Sequence, residues 1–477
     1  MKILMVASEA RPFSKTGGLA DVSYALSKEL ALMGEDVYII TPFYKQIKDK
    51  IFNEVERICY FEIGVSWRNK FATIYKKVES GITYLFVDNN DYFYRDHLYG
   101  DNDDYEKFAF FTLAAREFMY RTNFAPDIVH VHDWHAGMLP CLMREHEYGK
   151  EFFKNTRIVT SIHNPAFQGL MDKFVLGDLY GLPDYLFDNG QVRFKGCVSS
   201  LKTAIVYADK VTTVSPNHRH ELLTPEGSMG LDGVLRLREW DFCGILNGID
   251  YDEFNPEKDK SIPYPYTTKN FIQNKAKNKK ALFEELHIND YGQPLFSLVS
   301  RVTWQKGLDV LFPACEELVR RGCNIILLGS GEKRYEDMMN DLQRRYPNNV
   351  AVYIGYSDAL AHRIYAASDF FLMPSLFEPC GLGQMIAQRY GTLPIVRYTG
   401  GLKDSVIGFD GSNEDTANGF GFYDFTVDAM VNTCIWAYDT SANQELLNKL
   451  KENAMKTDNS WKRSAEEYLR LYKEIVK

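Results

Sequence analysis

Short apolar runs alternate with longer amphipathic segments along almost the whole chain. In the first half, the apolar runs predict strands near residues 2–8, 36–41, 82–87, 127–131, 157–162, 210–214 and 242–247. Segments with helical periodicity separate several of these strands and cover residues 18–33, 105–120, 135–147 and 197–208. Because strands that alternate with helices build parallel sheets with crossover connections, the pattern predicts an α/β protein.

A second series of strands follows a change in composition near residue 250. The segment 251–268 contains Pro256, Pro263 and Pro265 among polar neighbours, which predicts a domain linker. Beyond it, strands are predicted near 295–301, 324–329, 350–355, 370–373 and 393–396, and a final helix over 460–476. An irregular stretch, 52–78, predicts an antiparallel insertion. We therefore expect domains at 1–248 and 249–457, followed by a terminal helical segment at 458–477.

Composition limits the class of protein and its partners. A chain of 477 residues with 45% hydrophobic and 25% charged residues is typical of a globular protein with more than one domain. No run reaches the ~20 apolar residues of a membrane helix, and acidic Glu9 closely follows the apolar start, so we expect a cytoplasmic protein. The eight cysteines form no C-x-x-C pair, and the net charge of −9 argues against nucleic acid as a partner.

The stretch from Met373 to Leu402 carries the clearest pattern of a binding site. A buried strand is followed by the carboxylate of Glu378, and then Gly381 and Gly383 open a helical segment. The next strand runs into a second glycine turn at 399–401. Helix N-termini and bare backbone amides attract phosphate, whereas a carboxylate accepts hydrogen bonds from hydroxyl groups. The combination suits a sugar nucleotide.

Three basic side chains lie in loops that follow predicted strands, where ligands of parallel α/β sheets bind. Lys15 stands before a glycine pair, and Arg301 and Lys306 share one strand-to-helix loop. Arginine offers a planar fork and lysine a point charge, so this pair can contact a diphosphate in two ways. The alternative for each of the three is a solvated surface charge.

Six motifs in a fixed order extend this interpretation to the whole chain. They are S-K-T-G-G-L-A-D at 14–21, H-D-W-H at 132–135, S-I-H-N at 161–164, L-N-G-I-D at 246–250, S-R-V-T-W-Q-K-G at 300–307 and E-P-C-G-L at 378–382. Together they resemble the bacterial glycogen synthase and plant starch synthase family. The resemblance implies a GT-B fold of two Rossmann-like parallel-sheet domains facing across a deep cleft, with the C-terminal helix crossing back to the first domain.

The resemblance also implies an activity: transfer of glucose, with retention, from a nucleotide-glucose to the non-reducing end of an α-1,4-glucan. It favours ADP-glucose as the donor, and UDP-glucose stays open. The partners would be this donor and glycogen or a malto-oligosaccharide, without nucleic acid or membrane. A same-face reaction is expected, because no residue is an obvious nucleophile on the opposite face.

Site residues follow from the matching motifs. The expected catalytic residues are Lys15, His163, Arg301, Lys306 and Glu378. The expected donor-binding set contains Lys15, Gly17, Gly18, Asn247, Arg301, Lys306, Tyr356, Glu378, Cys380, Gly381, Leu382, Gly383, Thr399 and Gly400. The expected acceptor side contains Asp21, Asp133, Trp134 and Asn164.

Two positions depart from related patterns. Ile386 stands where the broader GT-B superfamily has a second glutamate, in agreement with the glycogen synthase branch. Gly383 stands where many members of that branch have threonine, so a hydroxyl contact to phosphate is missing.

Two other clusters suggest metal sites but are better explained otherwise. His130, His132 and His135 lie close in sequence to Asp133, yet no second ligand cluster accompanies them and the GT-B class generally needs no metal. The acidic run 101–104 resembles a D-x-D motif, but it precedes a predicted helix and we expect an N-cap. We therefore expect neither a metal nor a cofactor.

Alternative functions remain open at this stage. One is a catalytically weak glucan-binding protein that keeps the fold, although the intact basic residues and Glu378 argue against it. A nicotinamide-dependent dehydrogenase lacks a glycine fingerprint, because Arg334 occupies the last glycine position after Gly329 and Gly331. A glucan phosphorylase would be longer and would carry a pyridoxal lysine, for which the sequence gives no sign.

Overall fold

The computed structural model describes residues 1–65 and 67–476, and of residues 147 and 148 only the backbone. Ser66, inside the predicted insertion, and Lys477, at the end of the predicted terminal segment, lie outside the described residues. The chain divides into two compact units. The first unit contains Met1–Ile245 and the chain from Trp461 onward, and the second unit contains Leu246–Ser460.

A mixed sheet of nine described strands forms the centre of the first unit, in the order β12-β11-β7-β6-β1-β2-β5-β4-β3. A separate small sheet in the same unit has the strand order β8-β10-β9. The strands are β1 (Lys2–Val6), β2 (Asp36–Pro42), β3 (Glu56–Val65), β4 (Arg68–Glu79), β5 (Ile82–Asp88), β6 (Ile128–His132), β7 (Arg157–Ile162), β8 (Leu170–Met171), β9 (Arg193–Phe194), β10 (Cys197–Ser199), β11 (Lys210–Thr213) and β12 (Phe242–Gly244).

Burial along these strands explains the two kinds of pairing. The central strand β1 pairs in parallel with β2 and β6, and its residues Ile3–Val6 are all buried, as expected for a sheet covered on both faces. Strands β3, β4 and β5 pair antiparallel, which confirms the predicted antiparallel insertion. On β3, buried Phe61, Ile63 and Val65 alternate with exposed side chains, so one face of this hairpin meets solvent.

Helices cover the first sheet. They are α1 (Gly18–Leu32), α2 (Lys45–Ile51), α3 (Asn90–Phe93), α4 (Asp104–Arg121), α5 (Leu139–Glu145), α6 (Glu147–Phe152), α7 (Val175–Asp178), α8 (Tyr185–Asp188), α9 (Ser200–Tyr207), α10 (Pro216–Leu222), α11 (Asp232–Leu237) and, at the other end of the chain, α20 (Trp461–Val476). The single helix expected over 135–147 is two short helices, α5 and α6, because the chain is extended at His146.

The terminal helix α20 packs on the first unit through one apolar face. Trp461, Ala465, Tyr468 and Tyr472 recur at helical spacing and are buried in the same core as the central strands. The Tyr472 hydroxyl lies 2.6 Å from Nδ1 of His130 on β6. This polar contact and the apolar face together attach the end of the chain to the sheet of the first unit.

The second unit is built on a parallel sheet with six described strands, in the order β15-β14-β13-β16-β17-β18. Its elements are α12 (Phe271–Leu286), β13 (Leu295–Val299), α13 (Leu308–Arg320), β14 (Asn324–Gly329), α14 (Lys333–Arg345), β15 (Val350–Ile354), α15 (Asp358–Ala367), β16 (Phe370–Met373), α16 (Gly383–Arg389), β17 (Leu393–Arg397), α17 (Gly400–Ser405), β18 (Phe420–Phe422), α18 (Val427–Thr440) and α19 (Gln444–Lys456). Both units therefore have the Rossmann-like pattern that the alternation predicted.

The proline-containing segment 251–268 is packed into the second unit. Its Asp259 is buried and accepts hydrogen bonds from Tyr390 at 2.5 Å and His362 at 2.7 Å. Tyr266 is also buried, and its hydroxyl donates to the Tyr390 carbonyl at 2.7 Å. Across the described parts of the chain, no helix is both long and apolar enough to cross a membrane.

Candidate active site

The loop after β1 carries Lys15 and two glycines. Lys15 is exposed and donates to the Asp21 carboxylate at 2.9 Å, and Arg11 contacts the same carboxylate at 3.1 Å. Gly17 is the N-cap of α1, and Gly18 is its first residue. A Cβ at Gly18 would meet no atom within 4 Å, and one at Gly17 would only approach Glu9 at 3.8 Å. Packing within the first unit therefore does not require glycine at either position.

Glu9 holds this loop in place through hydrogen bonds to Thr16. It was not predicted as a site residue from the sequence. Its buried carboxylate accepts the backbone N–H of Thr16 at 2.5 Å and the Thr16 hydroxyl at 2.9 Å. Burial raises the pKa of Glu9, and these hydrogen bonds and the Gly17 N–H oppose the increase. In the sequence, Glu9 could have been recognised as an acidic residue directly after an apolar strand.

Asp133 adopts a strained backbone conformation directly after β6. Its φ of 55° is unusual for a residue with a side chain, and such strain is found at functional sites. The buried carboxylate accepts the backbone N–H of His163 at 2.8 Å and, more weakly, that of Asn164 at 3.5 Å. Burial raises the pKa of Asp133, which the His163 ring and these N–H groups partly offset. The structure therefore brings Asp133, His163 and Asn164 together.

The histidines that resembled a metal site contact protein groups instead. Nδ1 of His132 lies 3.0 Å from Nε2 of His163, and His130 contacts Tyr472 and Ser161. Burial lowers the pKa of both His130 and His135 to about 3. Within the described residues, no group of three or more histidine, cysteine, aspartate or glutamate side chains has a metal-binding arrangement.

The acidic run 101–104 begins helix α4, but the expected side-chain cap is wrong. Asp103 occupies the N-cap position without a capping hydrogen bond from its side chain. Its carboxylate and that of Asp101 pair with Arg95, and Lys107 contacts Asp101 and Asp104. Ion pairing outcompetes capping here because two basic side chains lie within reach, and they lower the pKa of both Asp101 and Asp103.

Trp134 is held by other aromatic rings of the first unit. Its ring packs edge-on against Phe108 at 5.3 Å and Tyr105 at 5.8 Å, and lies 4.3 Å from the His135 ring. Gly169 approaches so closely that a Cβ there would lie 2.8 Å from the indole. The indole is thus fixed in place, and its assignment to the acceptor side stays a prediction.

In the second unit, Lys306 and Glu378 bond directly to each other. The Lys306 ammonium lies 2.5 Å from Oε2 of Glu378, and Ser375 donates to the same oxygen at 3.0 Å. Both charged side chains are largely buried, at 14% and 10% exposure. Two residues that the sequence assigned to different ends of a donor molecule therefore neutralise each other.

The turn after Glu378 offers backbone donors. The N–H groups of Gly381, Leu382 and Gly383 have no hydrogen-bond partner in the described part of the chain, and Gly383 begins α16. Gly381 needs its glycine, because its φ is +72° and a Cβ would lie 2.6 Å from the Gln384 side chain. Cys380, the preceding residue, is buried. This turn presents donors suited to an anion.

The second glycine turn supports the first. The Gly401 N–H donates to the carbonyls of Pro379 at 3.0 Å and Glu378 at 3.2 Å. A Cβ at Gly400 would lie 2.0 Å from the Glu378 carbonyl oxygen. The Gly401 amide therefore holds the Glu378 turn. Thr399, the N-cap of α17, is buried beside it.

Gly383 is glycine because an aromatic ring fills the neighbouring space. A Cβ there would lie 3.0 Å from the Phe371 ring and 3.4 Å from the Met373 sulfur. Both residues belong to β16, which ends just before the Glu378 turn. A threonine at this position would have to displace the ring.

Arg301, Tyr356 and Asn247 are further residues of the second unit that the sequence predicts to bind the donor. Arg301 is exposed near the start of the loop that follows β13, and it forms no ion pair within the described chain. Tyr356 follows β15 and is 78% exposed, so its ring is not a core aromatic. Asn247 is buried, and its Oδ1 has no partner among the residues described.

Comparisons with known proteins agree with this fold. Residues 2–237 match a family model described as "Starch synthase catalytic domain", and residues 279–457 match "Glycosyl transferases group 1". The glycogen synthase of Clostridium kluyveri is 44% identical over all of both chains. That of Clostridium beijerinckii is also 44% identical, over 100% of this chain and 99% of the relative.

A solved structure matches both units. The catalytic domain of starch synthase IV from Arabidopsis thaliana, bound to ADP and acarbose, is similar with a TM-score of 0.90 and 32% identity, covering 100% of this chain and 99% of that one. The two Rossmann-like units and this match define a glycosyltransferase of the GT-B class. Within that class, the chain belongs to the glycogen synthase family.

The contact between Gly383 and Phe371 leads to a prediction about stability. Gly383→Thr overpacks the site and should destabilise the second unit by about 1–3 kcal/mol. In a Phe371→Leu background, the same threonine should cost at least about 1 kcal/mol less, because the smaller side chain leaves room for it. Urea unfolding of the single and double variants measures the coupling.

Phe296→Leu is the matched control for this cycle. Phe296 is a fully buried phenylalanine of the same sheet, on β13, and is not among the nearest neighbours of a Cβ at Gly383. Its substitution should be additive with Gly383→Thr. Equal coupling for the two phenylalanines would contradict the contact as the reason for glycine.

Proposed function

We propose that this protein is a glycogen synthase that transfers glucose from ADP-glucose, with retention, to the non-reducing end of an α-1,4-glucan and releases ADP. The observation that carries the proposal is the full-length similarity to a starch synthase domain that holds ADP and acarbose. The full-length identity to glycogen synthases supports it. On the same basis we propose that it acts in the cytoplasm.

In the second unit, we assign the diphosphate to Lys306, Arg301 and the amides of 381–383. These groups combine a buried ammonium, an exposed guanidinium and unpartnered N–H donors, as anion binding requires. When the donor binds, its phosphate competes with Glu378 for the Lys306 ammonium. The Glu378 carboxylate is then released to accept hydrogen bonds from sugar hydroxyls.

In the first unit, we assign the binding of the donor to Lys15, Gly17, Gly18 and His163. The open space beside both glycines allows a ligand to approach the backbone at the N-terminus of α1. Lys15 is balanced by Asp21 until an anion arrives. The Asp133 carboxylate accepts a hydrogen bond from the His163 backbone N–H, which fixes the backbone that carries the His163 ring.

The proposed reaction takes place on one face of the sugar. The bond between the anomeric carbon and the diphosphate breaks while the acceptor hydroxyl forms the new bond on the same face. The departing diphosphate takes the proton of that hydroxyl. Basic side chains and backbone amides stabilise the charge that grows on the leaving oxygen.

Measuring nucleoside diphosphate release from ADP-glucose and UDP-glucose, with and without glycogen, tests this function. We expect glycogen-dependent release of ADP, elongation of the glucan and slower release of UDP. Faster use of UDP-glucose would support the alternative donor. No transfer from either donor by the folded protein would support the glucan-binding alternative and refute the proposal.

Lys306→Ala tests the role of the buried ammonium. Its interaction with the leaving diphosphate should strengthen as the bond breaks, so kcat falls and not only the apparent affinity. A lost charge-assisted hydrogen bond of about 1.5–3 kcal/mol predicts a decrease in kcat of about ten- to a hundredfold. Lys306→Arg should retain only part of the wild-type kcat, because the planar guanidinium does not replace the compact charge of an ammonium.

The structure adds a stability effect to this variant. Without Lys306, the buried Glu378 carboxylate loses its cation, so the second unit should also unfold more easily. Rates are therefore compared per folded molecule, with the folded fraction taken from circular dichroism. The control is Lys333→Ala, whose side chain is 80% exposed and pairs with Asp337 on the same helix. Normal kcat in folded Lys306→Ala would remove Lys306 from the catalytic residues.

Gly18→Ala separates ligand binding from folding. Alanine fits without contact at the first position of α1 and favours helix, so the free energy of unfolding should stay equal or rise slightly. Activity should fall at least about tenfold, because the methyl group occupies space that the proposed ligand needs.

Gly233→Ala is the matched control. Gly233 also lies in a helix of the first unit with no atom within 4 Å of its Cβ position. Stability and activity should both persist in this variant. A fully active Gly18→Ala enzyme would show that no ligand approaches the start of α1.

A further inference from the structure

Two neighbouring histidines on β6 differ in how their ring nitrogens are satisfied. His130 uses both: Nδ1 lies 2.6 Å from the Tyr472 hydroxyl and Nε2 lies 2.7 Å from the Ser161 hydroxyl. His132 uses one: Nδ1 lies 3.0 Å from Nε2 of His163. Nε2 of His132 is buried without a hydrogen-bond partner in the described chain. The single polar contact of the His132 ring is therefore directed at a predicted catalytic residue.

The register of the sheet produces this contact. Strands β6 and β7 are parallel, and His132 is paired with Ser161. Residues two apart on a strand point to the same face, so His163 follows Ser161 on the side where His132 points. The His132 ring is stacked on His130, with centroids 4.2 Å apart, and its centroid lies 5.2 Å from that of His163. The His132 ring therefore packs against the rings of both His130 and His163.

The position of the ring proton follows from the unpartnered nitrogen. Burial lowers the pKa of both His132 and His163, so each ring is neutral and carries one proton. If His132 carried it on Nε2, a buried N–H would lack an acceptor, which folded proteins rarely tolerate. With the proton on Nδ1, that N–H donates to Nε2 of His163, and only a bare lone pair remains unpartnered. The second arrangement is favoured.

This arrangement determines the tautomer of His163. Because its Nε2 accepts from His132, its own proton lies on Nδ1. The His163 ring is only partly buried, and Nδ1 makes no hydrogen bond within the described residues. Nδ1–H is therefore available as a donor to a ligand, and Asp133 fixes the adjacent backbone.

We propose that His132 is a positioning residue that fixes His163 as the Nδ1–H tautomer, so that His163 donates a hydrogen bond to a hydroxyl oxygen of the transferred sugar. The identity of the recipient rests on the proposed function. The tautomer does not, because it follows from contacts inside the first unit alone.

Nuclear magnetic resonance of the ring nitrogens tests the tautomer directly. The full chain is labelled with ¹⁵N-histidine, and the His163 signals among the ten histidines are assigned by their loss in His163→Gln. Wild-type His163 should show a protonated Nδ1 and a bare Nε2. A protonated Nε2 would overturn the proposal without any measurement of activity.

Variants of His132 test its role in fixing the tautomer. In His132→Asn, the side-chain amide N–H replaces the Nδ1–H donor, and His163 should keep its tautomer. In His132→Leu, the donor is lost, and His163 should gain the Nε2–H form. An unchanged His163 spectrum in folded His132→Leu would overturn the proposal. If that variant does not fold, the wild-type and His132→Asn spectra still decide the question.

His130→Leu is the matched control, because His130 is equally buried on the same face of β6. It loses two hydrogen bonds and should destabilise the first unit, yet leave the His163 tautomer unchanged. An equal shift of the tautomer in His130→Leu would show general loosening of the sheet and would overturn a specific role for His132.

Kinetics then connect the tautomer with the reaction. Loss of one hydrogen bond to the reacting sugar predicts a kcat about ten- to a hundredfold lower in His132→Leu, with a smaller change in the KM for the donor. His132→Asn should recover most of the rate. Equal losses in both variants would contradict the hydrogen bond as the cause. Failure of the proposed function would leave no transfer in the wild type but the same ring-nitrogen spectrum.

Discussion

Balancing the charge of two lysines, one in each unit, is the constraint on which the candidate binding groups depend. Lys306 is largely buried and pairs with Glu378 at 2.5 Å, whereas Lys15 is half exposed and pairs with Asp21 at 2.9 Å. A buried ammonium without a counter-charge is costly, but an exposed one is stabilised by water. Lys306 therefore needs its counter-charge, Glu378, much more than Lys15 needs Asp21.

The same balance explains how one carboxylate can serve stability and binding. Glu378 reaches Lys306 because its turn is held by hydrogen bonds from Gly401 and by the close approach of Gly400. Ser375 supplies a second donor, so the carboxylate would keep a partner in the exchange that we propose, in which the Lys306 ammonium binds a phosphate. The energetic cost of exchanging partners is thus smaller than that of exposing a bare buried charge.

The sequence predicted most of the strands in the two large sheets, their mainly parallel arrangement and the glycine turns that follow them, because apolar runs and glycine turns are local signals. It did not predict the short strands β8, β9, β10 and β18. It did not predict contacts between distant residues. The pairing of Lys306 with Glu378 spans 72 positions, and the contact of His132 with His163 depends on the register of two strands. Glu9 was visible only as an acidic residue after a strand, since its partners become neighbours only when the loop folds back. The sequence showed that Gly383 lacks the hydroxyl group of the threonine found in related proteins. It did not show that the Phe371 ring lies next to this position.

Glycines in the candidate site are of two physical kinds, which a sequence motif does not distinguish. Gly400 is required by the protein itself, because its φ is +45° and a Cβ would lie 2.0 Å from the Glu378 carbonyl oxygen. Gly17 and Gly18 have ordinary conformations and open space around them. Where neither packing nor backbone geometry requires glycine, it makes the helix less stable than alanine would, and no contact within the unit compensates for this difference. A ligand that approaches the backbone of the loop that Glu9 holds, as we propose, would account for glycine at both positions.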